Sequence, residues 1–244
     1  MKEPVRCLQM DTGNSGTKWR MLEGEHIVNR GKYVPGDNLS KQELLQCVGS
    51  LDRICIASVA SVAAEFALAE MLRDRWTVEP WFARTQAQAL GLVNSYEDPS
   101  RMGVDRWLAM LAGRHCLNGR ICVVDAGSAL TIDIVAADGR HEGGYIIPGA
   151  TLMEQALSRD TDRVRFEEDV DHALKPGKST AQAVRHGIAL AQAGAVRLAL
   201  ESLEIDEQQL LICGGGGNSL RQLLGGVGQH KPDLVLEGLA LAAA

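Results

Sequence analysis

Zinc-type cysteine pairs are missing from this 244-residue chain. None of its six cysteines (Cys7, Cys47, Cys55, Cys116, Cys122 and Cys213) stands in a Cys-x-x-Cys spacing, the spacing that structural zinc sites use. Four of them lie in apolar runs such as Arg53-Ile54-Cys55-Ile56 and Ile121-Cys122-Val123, which points to buried, reduced thiols. No His-x-x-x-His pair occurs among the six histidines, so a histidine metal site is not expected either. Basic residues are in deficit, 25 Lys and Arg against 31 Asp and Glu, for a net charge of −6. A broad nucleic-acid-binding face needs clustered Lys and Arg, so no nucleic-acid partner is expected. No uncharged apolar run approaches the roughly 18 residues of a membrane span, and no leader pattern precedes the first apolar segment. The expectation is a cytoplasmic protein without a membrane partner. Aromatics are scarce at 4%, while glycine is abundant at 26 residues; that pairing suits an α/β enzyme with tight turns better than a β-sandwich. Hydrophobic residues at 45% and charged residues at 23% exclude a mainly disordered chain.

What is present is a pattern written twice. Val5–Met10 reads as a strand ending in Asp11-Thr12-Gly13-Asn14-Ser15-Gly16, with return strands at Thr17–Leu22 and His26–Tyr33. Helices are expected at Ser40–Gly49 and Ser61–Trp76, with Ser40 and Ser61 as N-caps. Strands are expected at Arg53–Val59 and Thr77–Phe82. The pattern restarts at Gly119–Val124, which ends in Asp125-Ala126-Gly127-Ser128-Ala129, with return strands at Leu130–Ala136 and His141–Ile147. Asp138-Gly139 marks the turn between those two. The two Asp-x-Gly aspartates lie 114 positions apart. Helices follow at about Thr151–Arg159 and Thr180–Leu203, then a strand at Gln209–Cys213 and short helices near Ser219–Leu224 and Leu236–Ala243. Arg159–Asp171 reads as a solvated charged surface segment. A meander followed by alternating helices and strands, given twice, implies two similar α/β lobes, residues 1–117 and 118–244.

The repeat also carries chemistry. Glycine lets the backbone turn tightly and aim N–H groups at a ligand oxygen, while the aspartate sits at the strand mouth within reach of a cation. Two such hairpins would make a phosphate clamp. The third element is Ile212-Cys213-Gly214-Gly215-Gly216-Gly217-Asn218, where a strand opens into glycines that can lie flat against a base or ribose. It is not a dinucleotide fingerprint, because Ser219 takes the place of the last glycine. Pro176-Gly177-Lys178-Ser179-Thr180 looks like the tail of a Walker A loop, but His172 stands where the first glycine is required.

These three elements resemble the phosphate-1, phosphate-2 and adenosine motifs of the acetate kinase–sugar kinase–Hsp70–actin superfamily. Within it, the chain resembles the type III pantothenate kinases, the first enzymes of coenzyme A synthesis. The residues that carry the resemblance are Asp11-Thr12-Gly13-Asn14-Ser15, Asn94-Ser95-Tyr96 with Pro99, Gly103-Val104-Asp105-Arg106, Asp125-Ala126-Gly127-Ser128-Ala129, Gly143-Gly144-Tyr145-Ile146-Ile147-Pro148-Gly149 and Lys178-Ser179-Thr180. The resemblance implies two ribonuclease H-like lobes, each a mixed sheet that opens with a three-strand meander and is packed with helices. It implies ATP-dependent phosphorylation of the primary hydroxyl of pantothenate to 4'-phosphopantothenate. Asp105 would be the catalytic carboxylate. Asp11, Thr12, Gly13, Asn14, Ser15, Gly16, Thr17 and Lys18 would hold ATP phosphates, with Asp11 near Mg²⁺. Tyr96, Gly103, Val104, Asp105, Arg106 and Thr180 would contact pantothenate. Asp125 would bind a monovalent cation, K⁺ or NH₄⁺, and Ser128 would touch ATP. Ser128 stands where the family usually has threonine, with the hydroxyl kept.

The chemistry follows without the family. A primary alcohol needs a carboxylate within hydrogen-bond reach to orient it and take its proton late in a loose phosphoryl-transfer transition state. Asp105 and Arg106 precede an apolar helix, Trp107–Ala112. Arg106 could pair with Asp105 or, as a planar fork, with a substrate carboxylate. Thr180 could instead cap the helix after it. That helix, Thr180–Leu203, is apolar around most of its circumference, which predicts burial on several sides and a homodimer, as the resemblance also implies. The alternative is a non-enzymatic transcription accessory protein of the same fold. The joint presence of Asp105 and Arg106 favours the enzyme. A sugar kinase is a weaker third reading, since such kinases of this fold are generally longer.

Overall fold

The computed structural model describes residues 4–13, 15–160 and 170–244. In chain order its elements are β1 (Arg6–Gly13), β2 (Gly16–Glu23), β3 (His26–Tyr33), α1 (Asn38–Leu45), β4 (Arg53–Ser58), α2 (Val62–Trp76), β5 (Trp81–Phe82), β6 (Gln88–Ala89), β7 (Leu92–Val93), α3 (Val104–Cys116), β8 (Ile121–Ala126), β9 (Ala129–Val135), β10 (His141–Pro148), α4 (Ala150–Asp160), α5 (Thr180–Ser202), β11 (Leu210–Cys213), α6 (Gly217–Leu223), β12 (Gln229–His230) and α7 (Leu234–Ala242). They fall into two compact units. The first holds residues 1–90, 96–112 and 234–244; the second holds 91–95 and 113–233.

In the first unit the strand order is β3-β2-β1-β4-β5. β1 runs antiparallel to β2 and parallel to β4, so the meander expected from the opening residues becomes one half of a mixed sheet. Leu8, Met10, Trp19, Met21, Ile54 and Ile56 are buried in one cluster with Leu68, Leu72 and Trp76 of α2. Ser61 caps α2 as expected, its Oγ accepting the Ala64 N–H at 3.3 Å. α1 departs from expectation. Its cap is Asp37, whose carboxylate accepts the Leu39 and Ser40 N–H groups, and the helix ends at Leu45 rather than Gly49. An aspartate three residues ahead of Ser40 reaches two orphan donors at once. Only Trp81–Phe82 of the expected Thr77–Phe82 strand pairs with β4. Thr77 is left-handed, at φ 58°, because it ends α2, and Pro80 has no N–H to give a ladder. α7 completes this unit. Arg20 joins Gln9 Oε1 at 2.8 Å to the Leu236 carbonyl at 2.9 Å, and a Cβ at Gly238 would land on the backbone of Leu108.

The second unit repeats the topology, with strand order β10-β9-β8-β11-β12. Its core gathers Val124, Leu130, Ile132, Ala193, Val196, Leu200, Leu210 and Ile212. α5 matches the expected long helix. Its cap is Ser179, whose Oγ accepts the Gln182 N–H, and Thr180 is the first helical residue. Cys55, Cys122 and Cys213 are buried, but Cys7 and Cys47 are half-buried and Cys116, near the end of α3, is exposed. Cys7 donates to Cys55 across β1 and β4 at 3.9 Å. That bond draws the Cys55 thiol down to about 7 and pushes Cys7 up. The charged stretch expected at Arg159–Asp171 lies largely outside the described residues, and Asn14 lies outside them.

Candidate active site

Each unit presents its own Asp-x-Gly hairpin. In the first, β1 carries Asp11 opposite Lys18 of β2, and Thr12 opposite Thr17. The Thr17 hydroxyl donates to Thr12 Oγ1 at 3.1 Å inside the hairpin, and both residues are buried. Gly16 has φ 132°, and a Cβ there would press on the Tyr33 carbonyl at 3.0 Å; glycine is what lets β2 leave the turn beside β3.

The Gly103-Val104-Asp105-Arg106 run opens α3. Asp105 folds back so that its Oδ1 accepts the Arg106 N–H at 2.8 Å. A Cβ at Gly103 would lie 2.5 Å from that oxygen and 3.8 Å from Val59 Cγ1. Glycine is thus needed for the carboxylate to sit over the first turn, where the unpaired N–H groups of the helix favour its charge. Val59 in turn donates its N–H to the Thr12 carbonyl at 3.0 Å, so the start of α3 and the mouth of the hairpin share one edge of this unit. The Arg106 side chain reaches Tyr96. Its Nη1 donates to the Tyr96 hydroxyl at 2.9 Å, and its guanidinium carbon lies 5.7 Å from the centre of the tyrosine ring. At 6% exposure Arg106 is nearly enclosed.

In the second unit β8 ends at Asp125-Ala126, opposite Thr131 and Leu130 of β9. Gly127 N–H closes the turn on the Ala129 carbonyl at 2.9 Å, and Gly149 N–H reaches the Ser128 carbonyl at 3.0 Å. A side chain at Gly149 would overlap the Gly127 and Ser128 carbonyls. The last glycine of the Gly-Gly-x-Ile-x-Pro-Gly run is therefore the place where α4 starts against the hairpin. Gly214 has φ 83°, and a Cβ there would overlap Asp125 Oδ1 and the Ala126 carbonyl. Gly216 N–H bonds that same carbonyl at 2.8 Å. Gly215, by contrast, faces open space. Thr180 stands elsewhere in this unit, on the wall of an open apolar groove of about 940 Å³ between α4 and α5 that Pro148, Leu152, Met153, Leu157 and Val184 also line.

Among the described residues no group of three or more His, Cys, Asp or Glu side chains could hold a metal ion. With one carboxylate at each strand mouth, Asp11 and Asp125, a divalent cation there would be held largely through nucleotide phosphates. At Asp125 the carboxylate and the Ala126 carbonyl gather hard oxygens at one point, which suits a monovalent cation.

Residues 7–201 match the family described as type III pantothenate kinase. The chain belongs to that family. Proteins named type III pantothenate kinase are 37% identical in Pseudomonas aeruginosa, over 96% of this chain and 98% of the relative. In Marinobacter nauticus the identity is 38%, over 97% and 98%. Solved structures agree on the fold alone. A Baf family transcriptional activator from Campylobacter jejuni superposes with a TM-score of 0.59 at 21% identity, over 96% of each chain. A 2-dehydro-3-deoxygalactonokinase from Sinorhizobium meliloti gives 0.55 at 16% identity, over 97% of each chain. In this type III pantothenate kinase family member the two Asp-x-Gly motifs fall at strand mouths, Gly103–Arg106 and Lys178–Thr180 at helix starts, Gly143–Gly149 along β10 to the start of α4, and Asn94–Tyr96 in a loop. One cluster escaped sequence reasoning: Ser95, His141 and Asp133, joined by hydrogen bonds at 2.9 and 3.0 Å. Separations of 46 and 8 residues leave no local pattern that could announce it.

Proposed function

We propose that this protein transfers the γ-phosphoryl group of ATP to the primary hydroxyl of pantothenate. The observation that carries the reading is the pairing at the start of α3 of a carboxylate held by Arg106 N–H with a guanidinium held by Tyr96, in a chain that matches the kinase family along most of its length. In this reading Arg106, with Tyr96, Gly103 and Val104 beside it in the first unit, binds pantothenate, the guanidinium meeting its carboxylate. Asp105 orients the hydroxyl and accepts its proton as the bond to phosphorus forms. The hairpin from Asp11 to Lys18 holds phosphates of ATP. Gly215 offers a bare surface to the base or ribose. Asp11 would hold Mg²⁺ and Asp125 a monovalent cation, K⁺ or NH₄⁺; these supply charge neutralisation around the phosphates. A non-enzymatic regulator is not favoured, since relatives covering nearly the whole chain are named as kinases. The deciding experiment is to incubate purified protein with ATP, Mg²⁺, K⁺ and pantothenate and look for 4'-phosphopantothenate. No product under those conditions would end the proposal.

The cation assignment has its own test. Activity should require K⁺ or NH₄⁺, and Asp125→Ala should abolish that dependence. Full turnover in a buffer with Na⁺ as the only monovalent cation would remove Asp125 from this role.

The reading includes a homodimer. α5 buries Ala189, Ala193, Val196 and Leu200 in its own unit, yet Leu190 and Leu198 remain 60% and 65% exposed. Leu152 and Leu157 of α4 are exposed beside the groove. Exposed apolar side chains of this kind are what a second copy would cover. Light scattering at micromolar concentration should give about 53 kDa, twice the chain mass of 26.3 kDa; a fully active monomer would contradict it. A cytoplasmic location, free of membrane and nucleic acid, is consistent with the net charge of −6. Among the described residues, no helix is long and apolar enough to cross a membrane.

A further inference from the structure

We propose that His141, held by Asp133, is a positioning residue for the pantothenate subsite, fixing Ser95 and thereby the adjoining Tyr96. The inference rests on the reading that Tyr96 and Arg106 bind pantothenate. Residues 91–95 are seated on the second unit at two places. The backbone bonds there, Val93 N–H donating to the Gly139 carbonyl at 3.0 Å, and the turn at Gly139, φ 91°, approaches Gly91 so closely that no side chain would fit. Two residues further on, the contact is through side chains. Ser95 Oγ lies 2.9 Å from His141 Nδ1, and His141 Nε2 lies 3.0 Å from Asp133 Oδ1. His141 and Asp133 are 3% and 1% exposed, while Ser95 is exposed.

The direction of the bonds follows from chemistry. An ionised carboxylate only accepts, so Nε2 donates its proton to Asp133. In the neutral ring Nδ1 is then a lone pair, and the Ser95 hydroxyl donates to it. Asp133 thus fixes both the tautomer and the plane of the imidazole. The chain is irregular at this point for the same purpose. β10 breaks register between His141 and Gly143, with Gly143 at φ 120°. That bulge leaves Glu142 outside, where it pairs with Arg120 at 2.6 Å, and His141 inside. Successive Cα atoms stay about 3.8 Å apart. A pinned Ser95 therefore limits where Tyr96 can go, and the Tyr96 hydroxyl is what Arg106 bonds.

A role in positioning predicts an effect on pantothenate binding and little on chemistry. Ser95→Ala removes one part-buried hydroxyl and leaves the His141–Asp133 pair in place, so the protein should fold normally. It should raise KM for pantothenate about tenfold, the scale of one lost hydrogen bond, with kcat and KM for ATP nearly unchanged. Ser95→Thr, which keeps the hydroxyl, should restore the value. His141→Gln keeps a donor toward Asp133 but loses the acceptor for Ser95, and should match Ser95→Ala. If the effect runs through Tyr96, Ser95→Ala should add nothing in a Tyr96→Phe background. The inference is overturned if Ser95→Ala leaves pantothenate KM alone while Tyr96→Phe raises it, or if it lowers kcat and weakens ATP equally. If Tyr96→Phe and Arg106→Lys both leave pantothenate KM unchanged, the subsite reading itself fails and takes the inference with it.

Discussion

Asp105→Asn should cost about 10²–10⁴-fold in kcat, the range a positioned general base supplies, while the protein keeps its fold. The separation of the two effects rests on what each oxygen does. Asp105 Oδ1 accepts the Arg106 N–H at the start of α3, and an asparagine carbonyl can accept that bond equally well. The lost charge at a helix N-terminus costs only about 0.3–1 kcal/mol. What asparagine cannot do is take a proton from an alcohol. Measured under saturating ATP and pantothenate, the variant should bind both substrates and turn over slowly, with an unfolding temperature close to that of the parent. Undiminished turnover in a well-folded Asp105→Asn protein would show that another group receives the proton.

Gly214→Ala should be the most damaging single methyl in the nucleotide half of the site. Gly214 is left-handed, where an L-residue pays roughly 1–2 kcal/mol, and the new Cβ would overlap Asp125 Oδ1 and the Ala126 carbonyl. Relief requires moving the β8 strand end, which core overpacking puts at about another 1–3 kcal/mol. The expected result is a fall in unfolding temperature on the order of 10 °C, together with loss of the K⁺ response, because the displaced oxygens are those proposed to hold the cation. Gly215→Ala is the matched control. Nothing lies within 4 Å of its Cβ position, so stability should hold within about 0.5 kcal/mol. Its KM for ATP should nevertheless rise if the bare backbone meets the nucleotide. Equal melting temperatures for the Gly214 variant and the parent would refute the steric argument.

The sequence alone determined the repeated meander. Mostly apolar runs from Val5 and again from Gly119, each ending in Asp-x-Gly with return strands after it, are a local signal, and each sheet accordingly contains that antiparallel meander. It also determined that Asp105 and Arg106 open a helix, since an apolar run directly follows them. Capping was only partly legible. Ser61 caps α2 as its position suggests, but Asp37 displaced Ser40, because a carboxylate further upstream could satisfy two donors. Glycine was legible as a need and not as a reason. Gly214 reads like Gly215 in the chain, yet one is set by a carbonyl and a carboxylate pressed against it, and the other faces open space. Long-range pairing was not legible at all. That Arg106 turns to Tyr96, that 234–244 returns to the first unit, and that Ser95 finds a buried histidine 46 positions away depend on where distant backbone segments stop. Periodicity and turn chemistry act over a few residues. The meeting of side chains across the fold is decided by packing, which no local pattern encodes.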